Sequence, residues 1–187
     1  MGSFYVNYTV RSADQAAVVQ SLKERSAYVT PVKDGALVVT DEEAETQEID
    51  AVREVGELLS TSLQTQVLAV LNHDDDMLWY GLFDKGRLTD EYNSWPDYFE
   101  GGTSPPKGGD ARKLCAAFGR GGKEKEVEAV LREASRDDDG YVFAMERHAD
   151  LVEALGLPDF AVGCGFKYVE EGELPEGLAA DALVRVK

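Results

Sequence analysis

The run from Gln66 to Asn93, QVLAVLNHDDDMLWYGLFDKGRLTDEYN, constrains the fold more than any other part of the chain. Val67, Leu68, Val70 and Leu71 are too dense for a strand with one wet face, so they predict a central strand covered on both sides. Asn72–Asp76 is polar and predicts a turn. In the following strand Leu78, Tyr80 and Leu82 share one face, while Met77, Trp79 and Phe83 share the other. Asp84-Lys85-Gly86-Arg87 suits a hairpin, because Gly86 accepts the positive φ that tight hairpins require. A more polar strand follows to Asn93. Such a ribbon is marginal alone and needs further strands and helices around it.

The flanking sequence supplies them. Phe4, Val6, Tyr8 and Val10 alternate with polar neighbours and predict a strand. Helical spacing of Ala16, Val18, Val19 and Leu22 predicts a helix over 15–25, and residues 28–32 and 36–40 read as a hairpin. The acidic run 41–48 reads as the solvated start of a helix over 47–60, with Ile49, Val52, Val55, Leu58 and Leu59 inward. This order hints at two similar halves, with two helices over one face of the sheet. After a Gly/Pro-rich loop, 94–109, helices are predicted over 111–118, 123–135 and 146–155. A short strand or extended piece is predicted over 141–145 and a last strand over 160–170, bulged at Gly163 and Gly165. The tail 171–187 ends in the apolar Leu183, Val184 and Val186.

The expected class is therefore α+β: a mixed, mainly antiparallel sheet of about six or more strands with helices packed mainly on one face. Residues 1–187 are read as one domain, with a sheet-rich half 1–93 and a helix-rich half 110–187.

Charge narrows the partners. Asp and Glu total 36 against 19 Lys and Arg, a net charge of −17, so a phosphate backbone would be repelled and nucleic acid is not expected. Arg112, Lys113, Arg120, Lys123 and Lys125 are interleaved with Glu124 and Glu126, as on a solvated helix face. The acidity favours a basic protein partner. No apolar run approaches membrane-spanning length, and Met1–Val6 lacks the basic start and apolar segment of a signal peptide, so a cytoplasmic location without membrane insertion is expected. Ile49 is the only isoleucine among many Val, Leu, Ala, Gly and Asp, a bias that points to a GC-rich bacterial source. Cys115 and Cys164 have no CxxC spacing and read as free buried thiols.

Several residues could carry function. Trp95, Tyr98 and Phe99 stand within the long loop and are candidate ligand or partner contacts, although aromatics beside a sheet commonly plug its end. Ser135–Glu146 is similar to an EF-hand calcium loop: Asp137, Asp139, the Tyr141 carbonyl and Glu146 fall at ligand positions, with Gly140 at the sharp turn. Ser135 replaces the aspartate expected first, and an acidic turn without metal is the plainer interpretation. His73, Asp74 and Asp76 could join Glu146 and His148 in a metal-assisted hydrolase, provided the first turn meets the last helix. No GxSxG, Walker or GxGxxG context is present. With no complete catalytic constellation, the leading expectation is a non-enzymatic binding or regulatory protein. Metal-assisted hydrolysis and calcium binding are the alternatives.

HDDDMLWYGLFDKGRLTDEYNSWPDYFEG, with GGDARKLCAAFG and RHADLVEALGLP downstream, resembles a family of uncharacterised bacterial proteins. The likeness spans His73 to Pro158 and centres on DDDMLWYGLFDKGRLTDEYNS. It implies a bacterial single-unit protein and transfers no activity or functional residue.

Overall fold

The computed structural model describes residues 2–12, 14–135 and 140–187. The strands are β1 (Tyr5–Arg11), β2 (Ala27–Val29), β3 (Ala36–Asp41), β4 (Gln66–His73), β5 (Met77–Asp84), β6 (Arg87–Asn93), β7 (Lys107–Gly108) and β8 (Val184–Val186). The helices are α1 (Gln15–Ser21), α2 (Ile49–Leu63), α3 (Ala111–Phe118), α4 (Glu124–Arg132), α5 (Ala144–Leu155) and α6 (Phe166–Glu170). The eight strands form one sheet in the order β7-β6-β5-β4-β1-β3-β2-β8, antiparallel throughout. The fold is α+β, as expected from the sequence.

The dense apolar run of β4 is central and covered on both faces. Leu68 and Val70 join Tyr5, Leu78, Tyr80 and Tyr92 under α3, α4 and α5. Val67, Ala69 and Leu71 join Val6, Tyr8, Trp79 and Phe83 under α1 and α2. Strand alternation alone produces this partition, because successive side chains leave the pleat on opposite sides. The helices are not mainly on one face as expected: α1 and α2 cover one side and α3, α4 and α5 the other, because β4 and β5 are apolar on both faces. α2 approaches closely because Gly56 lies against the Phe83 ring, where an added Cβ would fall 2.5 Å from a ring carbon.

Three further sequence expectations change. Residues 160–170 form no strand; a 3-10 turn, Asp159–Ala161, leads to α6. Their alternation arises because the segment packs on β1 from above. The buried Asn7 amide donates to the Ala161 and Cys164 carbonyls at 2.7 and 2.8 Å, replacing ladder partners. Gly165 is needed there, since a Cβ would stand 2.8 Å from the Tyr5 Cβ. Residues 141–145 are likewise not a strand. Only Tyr141 makes a bridge, to Ser135, and α5 begins at Ala144. The cause is Asp75 in the β4–β5 turn: its carbonyl accepts the Ala144 N–H at 2.7 Å and its carboxylate the Met145 N–H at 2.9 Å, satisfying orphan donors at the start of the helix.

The acidic run 41–48 is also not simply solvated. Asp41 is buried and takes a bidentate bond from Arg25 at 2.6 and 2.9 Å, as well as the Glu43 and Ala44 amides. Glu45 turns inward and accepts the Phe166 N–H at 2.8 Å; burial raises its pKa. The tail is anchored, with β8 pairing to β2 and Arg185 bonded to Glu170 at 2.7 Å.

Arg147 is fully buried on α5. Among the described residues its guanidinium donates to the Val130, Glu133 and Ala134 carbonyls and to Ser135 Oγ, and it lies 4.3 Å from the Tyr141 ring centroid. These carbonyls end α4, where the helix dipole favours a cation. Burial pulls the Arg147 pKa below the ordinary arginine value. Arg147→Ala leaves these acceptors and the Tyr141 face without a donor, and should destabilise the fold by about 3 kcal/mol in urea unfolding. Arg147→Lys, with a point charge in place of the fork, should lose less.

Candidate functional site

Three aromatic side chains gather around His73 at the β4–β5 end of the sheet. Ring centroids of Phe4, Tyr98 and Phe99 stand 5.1, 5.6 and 5.0 Å from that of His73, all near edge-on. Phe99 is 75% exposed and Phe4 40%, so the group reaches from the core into solvent. Val142 and Phe143 are also exposed. They belong to the same end of the molecule, because Asp75 donates to the Ser3 carbonyl, beside Phe4, and accepts from Ala144, beside Phe143.

The loop after β6 is built to hold this arrangement. Trp95 is buried and its Nε1–H donates to the Gly102 carbonyl at 2.9 Å. Asp97 accepts the Ser104 N–H at 3.1 Å on both carboxylate oxygens; bonds from Ser104 hold its pKa below the usual carboxylate value. Tyr98 packs edge-on to Trp95 at 4.9 Å and donates its hydroxyl to Asp76 at 3.2 Å. Of the three aromatics singled out in the sequence, Trp95 is thus the plug, Tyr98 the bridge and Phe99 the exposed contact.

Gln47 orients the imidazole. Its Nε2 donates to the Asn72 carbonyl at 2.9 Å, so its Oε1 must be the acceptor that meets His73 Nδ1 at 2.6 Å. Nδ1 therefore carries the hydrogen, which leaves Nε2 as the second ring nitrogen. Beside the rings lies a cleft of about 490 Å³, lined by Thr46–Asp50, Arg53, His73 and Phe99. Its Arg53 is already bound, to Glu91 at 2.5 Å and to Asp50 at 3.5 Å.

The hydrolase constellation does not assemble. His73 lies with the α2-side residues, whereas His148 packs against Tyr5 on the opposite face, its Nδ1 2.8 Å from the Tyr5 hydroxyl. The sheet separates the two imidazoles. Asp76 is engaged by Tyr98, Asp75 by α5, and Glu146 by the Phe143 N–H at 3.3 Å. Among the described residues no group of three or more His, Cys, Asp or Glu could hold a metal ion. Of the calcium-loop residues, Asp137 and Asp139 lie outside the described residues. Tyr141 bonds Asp150 through its hydroxyl, and Ser135 Oγ stands 3.2 Å from the Arg147 guanidinium, a positive charge beside the first ligand position.

Sequence reasoning missed Phe4 and Gln47 as members of the site. Phe4 reads as one more strand residue, and only the third dimension shows that it precedes β1 and packs on His73, which Phe99, 95 residues later, also meets. Gln47 carried no signal, because its role depends on a left-handed backbone (φ 60°) just before α2.

In comparisons with protein-family models, curated proteins and solved structures, nothing matches this chain.

His148 offers a direct test of the two-face arrangement. It is buried, and burial lowers its pKa from 6.5 to about 3. The unfolded chain binds a proton below pH 6.5 that the folded chain refuses until about pH 3, so stability falls as pH drops through that window. The loss attributable to this residue should approach 2–3 kcal/mol, roughly, between about pH 7 and about pH 4. In urea titrations across this range His148→Asn, though less stable at neutral pH, should show a shallower slope. An unchanged slope would mean that the imidazole is accessible to solvent.

Proposed function

We propose that this chain is a non-enzymatic, cytoplasmic binding or regulatory module that engages a basic protein partner through the Phe4–His73–Tyr98–Phe99 surface. The observation that carries the reading is Phe99: an ordered network of Trp95, Asp97, Gly102 and Ser104 holds a large apolar ring three-quarters exposed. Leaving such a ring in water forgoes about 1.5–3 kcal/mol that burial against a partner would recover. The surrounding carboxylates, Glu48, Asp50, Asp74 and Glu100, favour Lys or Arg beside the apolar contact. One edge strand is very short, Val184–Val186, and the outer edge of β6 is taken up by β7, by the Gly109 N–H on the Glu91 carbonyl and by Lys113 on the Thr89 carbonyl, which disfavours strand addition as the binding mode.

Chemistry elsewhere is subdued. Burial raises the Cys115 thiol pKa and pushes that of Cys164 to about 12, so neither is a ready thiolate. Burial also makes His148 a poor base.

The test is an array of short peptides that pair Arg or Lys with aliphatic neighbours, set against acidic counterparts and read by the emission of the two tryptophans, Trp79 and Trp95. Basic peptides should bind with affinity that falls as salt rises. Phe99→Ser should weaken them about tenfold or more with only a small loss of melting temperature, because the ring is three-quarters exposed and meets His73 and Tyr98 only edge-on. Equal binding to Phe99→Ser, or a preference for acidic peptides, would remove the proposal.

A further inference from the structure

The imidazole at the centre of the aromatic surface is held in one tautomer. Gln47 stands in a left-handed turn (φ 60°) just ahead of α2, and both ends of its amide are in use, Nε2 on the Asn72 carbonyl and Oε1 on His73 Nδ1. An amide pinned this way only accepts from the ring. Neutral His73 therefore keeps its hydrogen on Nδ1 and offers a lone pair at Nε2. Among the described residues Nε2 has no hydrogen-bond partner, and it is not one of the enclosed polar atoms. His73 lines the cleft of about 490 Å³ that Phe99 also walls. We propose that His73 Nε2 is the specificity-determining acceptor of this surface. It takes an N–H from an arginine side chain of the partner while the guanidinium lies on the Phe99 ring, and protonation of His73 releases that arginine. Resting on the basic-partner role proposed above, this adds which side chain is read and what ends the contact.

The donor follows from the acceptor. A lone pair at Nε2 repels a partner carboxylate or carbonyl and welcomes an N–H. Phe99 and His73 have ring centroids 5.0 Å apart, within the span of one guanidinium that stacks on the first and donates to the second. Guanidinium N–H groups lie in the plane of the group, so its face and its edge act at once, whereas an ammonium is a point charge. Arg53, the one cation among the described residues lining the cleft, does not take the place of the partner's arginine, because Glu91 holds it at 2.5 Å and Asp50 at 3.5 Å. Protonation at Nε2 turns the acceptor into a donor and sets a cation against a cation. The other ionisable groups around the imidazole are Glu48 and Asp50 in the cleft, Asp74 and Asp76 in its own turn, and Tyr98 and Glu100 in the loop after β6; Gly2, Ser3 and Phe4 bring none. Protonating those carboxylates would also weaken a basic ligand, so the test needs a variant that keeps them and lacks the imidazole.

Two capped peptides, one with a single Arg between aliphatic residues and a twin with Lys, are titrated into the full chain from about pH 8 to about pH 5.5. Imidazole nitrogen spectra at the upper end should place the His73 hydrogen on Nδ1. There the Arg peptide should bind about fivefold or more tighter than the Lys peptide, and its affinity should fall about tenfold as the His73 ring signals report protonation. His73→Gln, whose amide oxygen accepts but does not titrate, should keep the Arg preference and lose most of the pH dependence. His73→Phe, a ring without an acceptor, should lose the preference at every pH. Gln47→Leu should move ring hydrogen onto Nε2 in the same spectra and weaken the Arg peptide. Binding that requires Phe99 yet follows one pH curve in the wild-type chain and His73→Gln would overturn the proposal and leave the surface assignment standing. A hydrogen found on Nε2, equal affinity for the Lys twin, or affinity that rises as pH falls would overturn it as well. Failure of both peptides to bind at any pH would remove the surface itself.

Discussion

The structure depends on burying both faces of one antiparallel sheet. A strand as apolar as β4 cannot leave either face wet, yet α1 and α2 cover only one. The opposite face, with Tyr5, Leu68, Val70, Tyr80 and Tyr92, is closed by helices drawn from residues 111–170. The helix-rich half is thus the second wall of the core built by the sheet-rich half. The contact at the β4–β5 turn is polar and specific: Asp75 joins the N-terminal segment, β4 and the start of α5 through backbone and carboxylate together.

Periodicity made most of this legible. The two-residue alternation of β5 sorted Leu78, Tyr80 and Leu82 from Met77, Trp79 and Phe83, and those two sets belong to different core clusters. The same signal misled at 160–170, where alternation records packing of an irregular segment onto β1 and Asn7 supplies the hydrogen bonds that a neighbouring strand would give. Side-chain capping at a distance is invisible to a pattern read along one strand. For that reason the start of α5 was misplaced: its donors are met by Asp75, 70 residues away for the Met145 bond. The candidate site was half legible. Trp95, Tyr98 and Phe99 stood out as aromatics in a Gly/Pro-rich loop, but their division into plug, bridge and exposed ring depends on burial that composition does not encode.

The chain is strongly acidic, yet several charges are spent inward as connectors. Asp41 organises the end of β3 around Arg25, Glu45 meets the Phe166 amide, and Arg147 closes the last carbonyls of α4. Each satisfies backbone or ionic partners that would otherwise be stranded where water is excluded, which is where a polar group repays its desolvation. The net charge of −17 therefore overstates how uniform the surface is. What matters for binding is where carboxylates remain without an internal cation.

By that criterion the rim of the aromatic surface is uncompensated: among the described residues no ion pair involves Glu48, Asp74 or Glu100. At the aromatic end, Arg53 and Tyr98 already occupy Glu91 and Asp76, so the dominant unsatisfied element is apolar, the Phe99 ring, and charge serves to select a partner. A flat, ring-bearing surface suits a macromolecule, whose large footprint can exclude water around one exposed phenylalanine.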